Sequence, residues 1–386
     1  MKSTKACCHC LLCMALAWPL SPYSHLYHYF CWTFYKTKRR YRMLQSIVSR
    51  AMKKGLTAFT LSTLVLAGAG NLALADTYKM KVGFLTINDP IHAVGKRFAE
   101  EVSKRSEGRI ATEVYPAGQL GSAGRQIEGM QFGTQEAFVT PPNYLAGLNP
   151  GFQVLDAPGI FESVEQAHAA VTTPEFQEIY LNLAKSAGVE VGNLWVYGPT
   201  AIASVKPLKT LDDLKGLKVR VLATKLEQEL AAKLGMVGVS VDFTQALSAI
   251  QTGTVDAART SMVVMGGMKF YDTTKHVFKD QTGMVFGVVT VSSTWLQTLP
   301  EDLRTIVMEA ARDIQDEATD IGIEYAKKAD KEWADAGVTI VELEPEARKE
   351  LFATVSPIGE QYLAENDKTE PVWRALQNAL KQVHTN

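Results

Sequence analysis

Arg220 is the residue whose type and position are best suited to chemistry. It lies between Val219 and Val221 in the apolar stretch at residues 216–221. Successive side chains of a strand point to opposite faces, so this guanidinium points either into solvent or into a cleft. An arginine in a cleft can hold a carboxylate through two parallel hydrogen bonds, a geometry that lysine does not offer. Periodicity alone leaves both positions open.

The sequence contains none of the common enzyme motifs. It has no phosphate-binding glycine loop, no dinucleotide-binding fingerprint and no G-x-S-x-G nucleophile elbow. The histidines that follow residue 75 are His92, His168, His276 and His384, and they are widely separated. We therefore expect a binding protein and not an enzyme, with no catalytic residue, metal or cofactor.

Residues 52–75 have the three-part pattern of a secretory signal peptide. Met52, Lys53 and Lys54 begin a basic stretch, an apolar run follows at 56–69, and Ala73-Leu74-Ala75 precedes Asp76. The apolar run is shorter than the roughly 20 residues that span a bilayer, although a retained membrane anchor is the alternative. We expect export to the periplasm and cleavage before Asp76.

The segment at residues 1–51 holds all five cysteines and no acidic residue. Its cysteine spacing fits no standard zinc site, so we interpret it as a mis-assigned gene start, with a metal-binding module as the alternative. Residues 1–75 contain ten of the 40 Lys and Arg residues and no Asp or Glu. The rest of the chain therefore has 30 basic and 41 acidic residues, a net charge of −11. Such a surface disfavours nucleic acid and anionic membranes as partners.

Strand and helix patterns alternate along residues 76–386, which predicts an α/β fold. Strands are predicted at 79–85, 109–115, 135–140, 217–222 and 237–242. Helices are predicted from Pro90, with Asp89 as N-cap, and at 123–132, 225–234 and 245–252.

A long helical pattern follows at residues 301–337. Thr298 and Glu301 have the spacing of a capping box at its start. At 1.5 Å per residue the helix would measure roughly 54 Å, so we expect it to run across more than one domain. The alternative is two helices broken near Gly322.

Several motifs in order resemble the DctP-type solute-binding proteins of tripartite ATP-independent periplasmic (TRAP) transporters. The motifs lie at residues 98–102, 108–110, 115–121, 155–161, 216–221, 251–256, 269–271 and 299–303. The resemblance implies a two-lobed, type II-like periplasmic-binding-protein fold with mixed sheets and a long helix along both lobes. We expect residues 76–197 and 286–325 to form the first lobe. Residues 198–285 and 326–386, including the C-terminal helices, would form the second.

The resemblance also implies a ligand site between the lobes. The family arginine that pairs with the substrate carboxylate falls on Arg220, and an aromatic wall residue falls on Phe243, with a core position as the alternative. Asn143 and Tyr144 follow the third strand, where the family places ligand contacts. Trp195 and Tyr197 end a strand that crosses between lobes and either wall the cleft or lie buried at the lobe interface.

Several positions depart from the family pattern, including some near the expected carboxylate site. The family asparagine near the carboxylate is Thr260, and a glutamate beside it has become Arg259. The second arginine of sialic-acid binders falls on Thr200, which argues against sialate. We hypothesise that Arg259 supplies a second cation, which would favour a dicarboxylate or a sugar acid; an arginine that faces solvent or pairs with a nearby Asp is the alternative.

The function that the resemblance implies is capture of an organic anion by closure of the lobes. The small and large TRAP membrane subunits would be the protein partners, and the binding protein is expected to be a monomer. The alternative is a periplasmic ligand-sensing protein that serves a signalling receptor.

Overall fold

The computed structural model describes residues 77–222 and 224–385, all within one compact unit, Ala75–Asn386. The predicted signal peptide and the cysteine-rich leading segment lie outside the described residues. The strands are β1 (Tyr78–Gly83), β2 (Ile110–Tyr115), β3 (Ala137–Thr140), β4 (Val189–Val191), β5 (Trp195–Ser204), β6 (Lys218–Val221), β7 (Val237–Ser240), β8 (Ala257–Ser261), β9 (His276–Lys279), β10 (Met284–Ser292) and β11 (Thr339–Glu342).

Helices follow most of the strands. The α-helices are α1 (Pro90–Arg105), α2 (Ala123–Gln131), α3 (Val164–Val171), α4 (Pro174–Tyr180), α5 (Lys225–Lys233), α6 (Phe243–Gln251), α7 (Met262–Gly267), α8 (Ser293–Leu296), α9 (Glu301–Asp313), α10 (Gln315–Asp335), α11 (Pro345–Val355), α12 (Pro357–Leu363) and α13 (Glu370–Thr385). The 3₁₀ helices are Pro142–Gly147, Pro150–Asp156, Lys185–Ala187, Leu211–Leu214 and Phe270–Asp272. The predicted α/β fold with mixed sheets is confirmed.

Two crossing strands join the two parts of the sheet, whose order is β2-β1-β3-β10-β5-β8-β6-β7. We call the part around β1–β4 the first lobe and the part around β6–β9 and β11 the second lobe. The first residues of β10, Met284–Gly287, pair with β5, and its later residues pair with β3 and β4. The first residues of β5 pair with β10, and its last five pair with β8. Both strands therefore run through the boundary between the lobes.

Local sequence explains the first helix. The Asp89 carboxylate accepts a hydrogen bond from the backbone N–H of His92 at 2.9 Å, and Pro90 begins the helix, as predicted. Phe98 and Val102 lie on its inner face and are fully buried. The helix connects β1 to the parallel strand β2, which is the usual role of a crossover helix.

The long helical pattern is interrupted at Ile314, so the prediction of one continuous helix is wrong, and the break does not lie near Gly322. The Asn193 amide donates a hydrogen bond of 2.7 Å to the carbonyl of Ala311. In a continuous helix that carbonyl would accept from the N–H of Gln315. The Asn193 side chain, from a distant segment, therefore bonds to the helix backbone at the break. No proline or glycine in the sequence predicts a break at Ile314.

The predicted capping box is also wrong. The N-cap of α9 is Pro300, without a side-chain cap, and the Thr298 hydroxyl donates to the carbonyl of Trp295 at 2.7 Å. The pair α9 and α10 nevertheless runs along both lobes. Arg97 of α1 forms an ion pair with Glu317, and the indole of Trp333 donates to the carbonyl of Met262 in α7.

The last helix, α13, packs on the first lobe, although the C-terminal helices were predicted to belong to the second. Trp373 and Leu376 of this helix lie in one buried cluster with Phe152 and Tyr180. Its sequence shows an apolar face but not which lobe covers it. Within the residues that the structure describes, no helix is both long and apolar enough to span a bilayer.

Candidate functional site

Arg220 is fixed in the middle of the second lobe's sheet. Its strand, β6, pairs in parallel with β7 on one side and with β8 on the other. The side chain is buried, with 2 % of its residue surface exposed. Its Nε donates to the carbonyl of Val241 at 2.9 Å, and its Nη2 donates to the Tyr144 hydroxyl at 3.2 Å. The strand pairing and these two bonds hold the guanidinium in place.

The charge of Arg220 has no protein counter-ion among the described residues. No Asp or Glu oxygen of residues 77–222 and 224–385 lies within 4.0 Å of its nitrogens. The guanidinium carbon lies 5.2 Å from the ring centroid of Phe243, a cation–π contact that carries no negative charge. A guanidinium has five N–H groups, and only two of these have acceptors in the described part of the chain. The uncompensated charge and free donors suit an anionic ligand.

A cavity between the lobes brings Arg220 together with most of the predicted site residues. The space between protein atoms, counted out to the opening, is about 740 Å³. The predicted residues that line it are Asn143, Tyr144, Tyr197, Thr200, Arg220, Phe243, Arg259 and Thr260.

The two lobes meet at Arg220 through Tyr144. Tyr144 lies in the 3₁₀ helix that follows β3, so its bond with Arg220 crosses from the first lobe to the second. Burial raises the pKa of the Tyr144 phenol, which is therefore neutral at pH 7. Since its oxygen accepts from Arg220, its own proton is available to a ligand.

Phe243 forms an apolar wall beside the guanidinium. It begins α6 directly after the N-cap Asp242, whose carboxylate accepts from the N–H of Thr244. Its ring stacks on Phe270 with centroids 5.8 Å apart and planes 7° apart. Phe243 thus belongs to the hydrophobic core and also lines the cavity, so it occupies both of the predicted alternatives, a wall position and a core position.

Arg259 lies at the cavity but is already paired with two protein carboxylates. Its Nη1 donates to Glu227 at 2.7 Å and its Nε to Asp280 at 3.1 Å. Its Nη2 donates to the hydroxyls of Thr200 and Thr282, both at 2.9 Å. The hypothesis of Arg259 as a free second cation therefore needs correction. One guanidinium faces two carboxylates, so the group as a whole is not positive.

A second acid lines the cavity on the side of the first lobe. Asn143 donates to Oδ1 of Asp156 at 2.8 Å, while Oδ2 of Asp156 and Oδ1 of Asn143 are buried without a partner. Burial, and after it the charge of Glu227, raise the pKa of Asp156 to about 8. Asp156 and Glu227 were not predicted as site residues. Asp156 stands in a recognised motif at residues 155–161, which was the available signal.

The remaining predicted residues divide between cavity and core. Thr260 lies on β8 opposite Ala201 of β5 and lines the cavity, as does Tyr197. Trp195 does not line this cavity, which corrects its predicted place in the wall. It is fully buried, and a Cβ at Gly287 would lie 2.2 Å from its ring. The glycine makes room for the indole within the core.

Comparisons with known proteins agree with this architecture. Residues 83–366 match the family model DctP, described as bacterial extracellular solute-binding protein, family 7. The C4-dicarboxylate-binding periplasmic protein DctP of Rhodobacter capsulatus is 30% identical over 318 residues, which cover 79% of this chain and 94% of the relative.

Solved structures of similar proteins have the same fold. The sugar acid binding protein DctPAm from Advenella mimigardefordensis, in complex with galactonate, has a TM-score of 0.73 at 25% identity, covering 79% of this chain and 99% of its own. A TRAP periplasmic solute binding protein from Desulfovibrio salexigens with bound orotic acid has a TM-score of 0.74 at 24% identity, covering 80% and 100%. The predicted two-lobed fold is confirmed.

Proposed function

Because this chain belongs to the bacterial extracellular solute-binding proteins, family 7, we propose that it captures an organic acid in the periplasm and delivers it to TRAP membrane subunits for ion-gradient-driven uptake. The observation that carries the proposal is the buried guanidinium of Arg220, which has no counter-ion among the described residues. A buried charge without a partner costs several kcal/mol, and a ligand carboxylate removes that cost.

The ligand carboxylate accepts hydrogen bonds from the free N–H groups of Arg220 and from the Tyr144 hydroxyl. Phe243 and Tyr197 exclude water around this ion pair, which strengthens it. Thr260, Asn143 and Thr200 face the rest of the ligand from the cavity lining. Thr200 also positions Arg259, because its hydroxyl accepts from that guanidinium.

Closure of the two lobes is the form that the membrane partner would recognise. The Tyr144–Arg220 bond links the lobes, and a carboxylate bound to both residues would favour the closed arrangement over the open one. The membrane subunits are separate proteins in this proposal, and residues 52–75 direct export to the periplasm. No feature of the described residues favours the signalling alternative.

Removal of the charge of Arg220 tests the proposal. In the chain from Asp76 onward, we expect Arg220→Met to reduce affinity for carboxylates at least about 30-fold, because a buried charged hydrogen-bond partner is worth about 2–5 kcal/mol. The ligand-free variant should unfold at the same temperature as the parent or a higher one, since a buried charge without a counter-ion is removed. Isothermal titration calorimetry and thermal unfolding with a panel of organic acids measure the two effects.

Arg304→Met is the matched control, since Arg304 is exposed on α9. The control should bind as the parent does. In the parent, a ligand at about 100 times its dissociation constant stabilises by about 2.7 kcal/mol. Undiminished carboxylate binding by Arg220→Met would contradict the proposal.

A further inference from the structure

The charges that line the cavity are unevenly divided. Arg220 is a cation without a carboxylate among the described residues, whereas Arg259 is shared by Glu227 and Asp280. All three members of the Arg259 group are buried. Because two carboxylates share one guanidinium, the Arg259 group offers no free positive charge to a ligand. The cavity therefore has a positive part at Arg220 and a part at Glu227 that is not positive.

Buried polar atoms without hydrogen-bond partners lie in the same cavity. Asp156 Oδ2 and Asn143 Oδ1 are buried and have no partner among the described residues. The Thr86 and Thr140 hydroxyls, which also line the cavity, lack partners as well. A buried polar atom without a partner destabilises the folded protein. The Asn143 amide oxygen can only accept hydrogen bonds, so a ligand with donors can remove its cost.

We propose that the ligand is a monocarboxylic acid that carries hydrogen-bond donors, hydroxyl or ammonium groups, on the part that lies beside Asp156 and Glu227, and that dicarboxylates bind poorly. This inference rests on the proposed function, because it takes the carboxylate to be held by Arg220. The proposed ligand differs in class from the C4-dicarboxylate in the name of the Rhodobacter capsulatus relative.

The physical reason is the location of a second ligand charge. One carboxylate compensates Arg220 and leaves no further unpaired cation among the described residues of the lining. A second carboxylate would approach the Glu227 carboxylate, where like charges repel in a medium of low dielectric constant. A hydroxyl or ammonium group at the same place donates to the free oxygens instead.

A matched ligand series tests this inference at pH 7. Butyrate, 4-hydroxybutyrate, 4-aminobutyrate and succinate share a four-carbon chain and differ only at the far terminus. Hexanoate, 6-hydroxyhexanoate, 6-aminohexanoate and adipate repeat the comparison with six carbons, and D-gluconate adds a polyhydroxy acid. Isothermal titration calorimetry measures the affinities. We expect the donor-terminated acids of at least one chain length to bind at least tenfold more tightly than the diacid of that length, or D-gluconate to bind at least tenfold more tightly than adipate.

The same affinities show whether the ligand's donors are hydroxyl or ammonium groups. Tighter binding of the hydroxy acids assigns a polyhydroxy acid, and tighter binding of the amino acids assigns a zwitterion. Either result supports the inference.

Glu227→Gln provides a second readout that keeps an acceptor for Arg259. In this variant we expect the preference for donor-terminated acids over diacids to fall about tenfold, because the negative charge is removed. Glu346→Gln makes the same chemical change at an exposed position of α11 and should leave the preference unchanged.

The outcomes distinguish this inference from the proposed function. If succinate or adipate binds as tightly as the donor-terminated acid of its length, the inference is overturned while carboxylate capture stands. If Glu227→Gln leaves the preference unchanged, the assigned position of the donors is overturned. If no member of the panel binds, D-gluconate included, the proposed function fails and the inference fails with it.

Discussion

Two buried arginines of the second lobe have different roles because their surroundings differ. Arg259 donates to Glu227 and Asp280, so its charge is balanced within the protein. Arg220 donates to a carbonyl and a phenol, and neither group carries a negative charge. Residue type and burial are the same at both positions. The distribution of carboxylates around each one makes Arg259 part of the framework and Arg220 the proposed ligand anchor.

Asp156 gives a prediction about the stability of the ligand-free protein. Its pKa is raised from 3.8 to about 8, first by burial and then by the charge of Glu227. The folded state holds the proton more tightly than the unfolded chain, so this stabilising contribution is complete below pH 3.8 and is lost as the pH rises through 8. We expect the free energy of unfolding of Asp156→Asn to match that of the parent near pH 4 and to exceed it increasingly up to pH 8, by up to about 1.4 kcal/mol per pH unit.

Urea denaturation at pH 4, 6 and 8 measures this difference. Asp320→Asn removes a carboxylate at an exposed position of α10 and serves as the control for net charge. A difference between Asp156→Asn and the parent that stays constant across this pH range would exclude the raised pKa as its cause.

Helix α10 depends on a close approach to the crossing strand β5. A Cβ added at Gly322 would lie 2.7 Å from the Cα of Tyr197 and 3.0 Å from the carbonyl oxygen of Val196. Both contacts are with backbone, which cannot move aside as a flexible side chain does. Tyr197 lines the ligand cavity, so the spacing between α10 and β5 also affects the site.

Substitution of Gly322 tests this packing. Alanine favours a helix interior over glycine by about 1 kcal/mol, but the steric conflict costs about 1–3 kcal/mol or more. We expect Gly322→Ala to lower the free energy of unfolding by about 2 kcal/mol in a denaturant titration. Gly124→Ala is the control, because nothing lies within 4 Å of a Cβ there, and it should raise stability slightly. Equal effects of the two substitutions would argue against a close α10–β5 contact.

At the scale of the whole molecule, one hydrophobic core extends through both lobes. A single buried cluster includes Val82 of β1, Phe98 of α1, Phe243 of α6, Val277 of β9 and Trp333 of α10. The crossing strands β5 and β10 run between the two parts of the sheet. Separate unfolding of one lobe would expose part of this shared core.

We therefore expect the chain from Asp76 onward to unfold in one cooperative transition. Differential scanning calorimetry should give a calorimetric enthalpy equal to the van't Hoff enthalpy, with a total of about 200 kcal/mol near 60 °C for a chain of this length. A bound carboxylate should move the whole transition upward in the parent and leave it in place in Arg220→Met. Two resolved transitions would mean that the shared core does not couple the lobes.

Much of the fold and part of the site could be predicted from the sequence. Alternating periodicities and the cap at Asp89 identified the early elements, because both depend on residues that are close in sequence. The ordered motifs indicated the family and pointed to Arg220, Tyr144 and Phe243, which the structure brings to one cavity. The positions of these residues follow from their strands and from the segments directly after them.

The tertiary structure alone decided which charges meet. Arg259 pairs with carboxylates 21 and 32 residues away, and neither spacing marks a contact in the sequence. The break at Ile314 likewise accompanies a bond from Asn193 to a carbonyl 118 residues away. Periodicity reports which face of an element is buried, but a side chain's partner depends on distances through space. The sequence by itself therefore determined the family, the order of elements and the position of the proposed anchor, and the packing of the lobes determined which charges remain for a ligand.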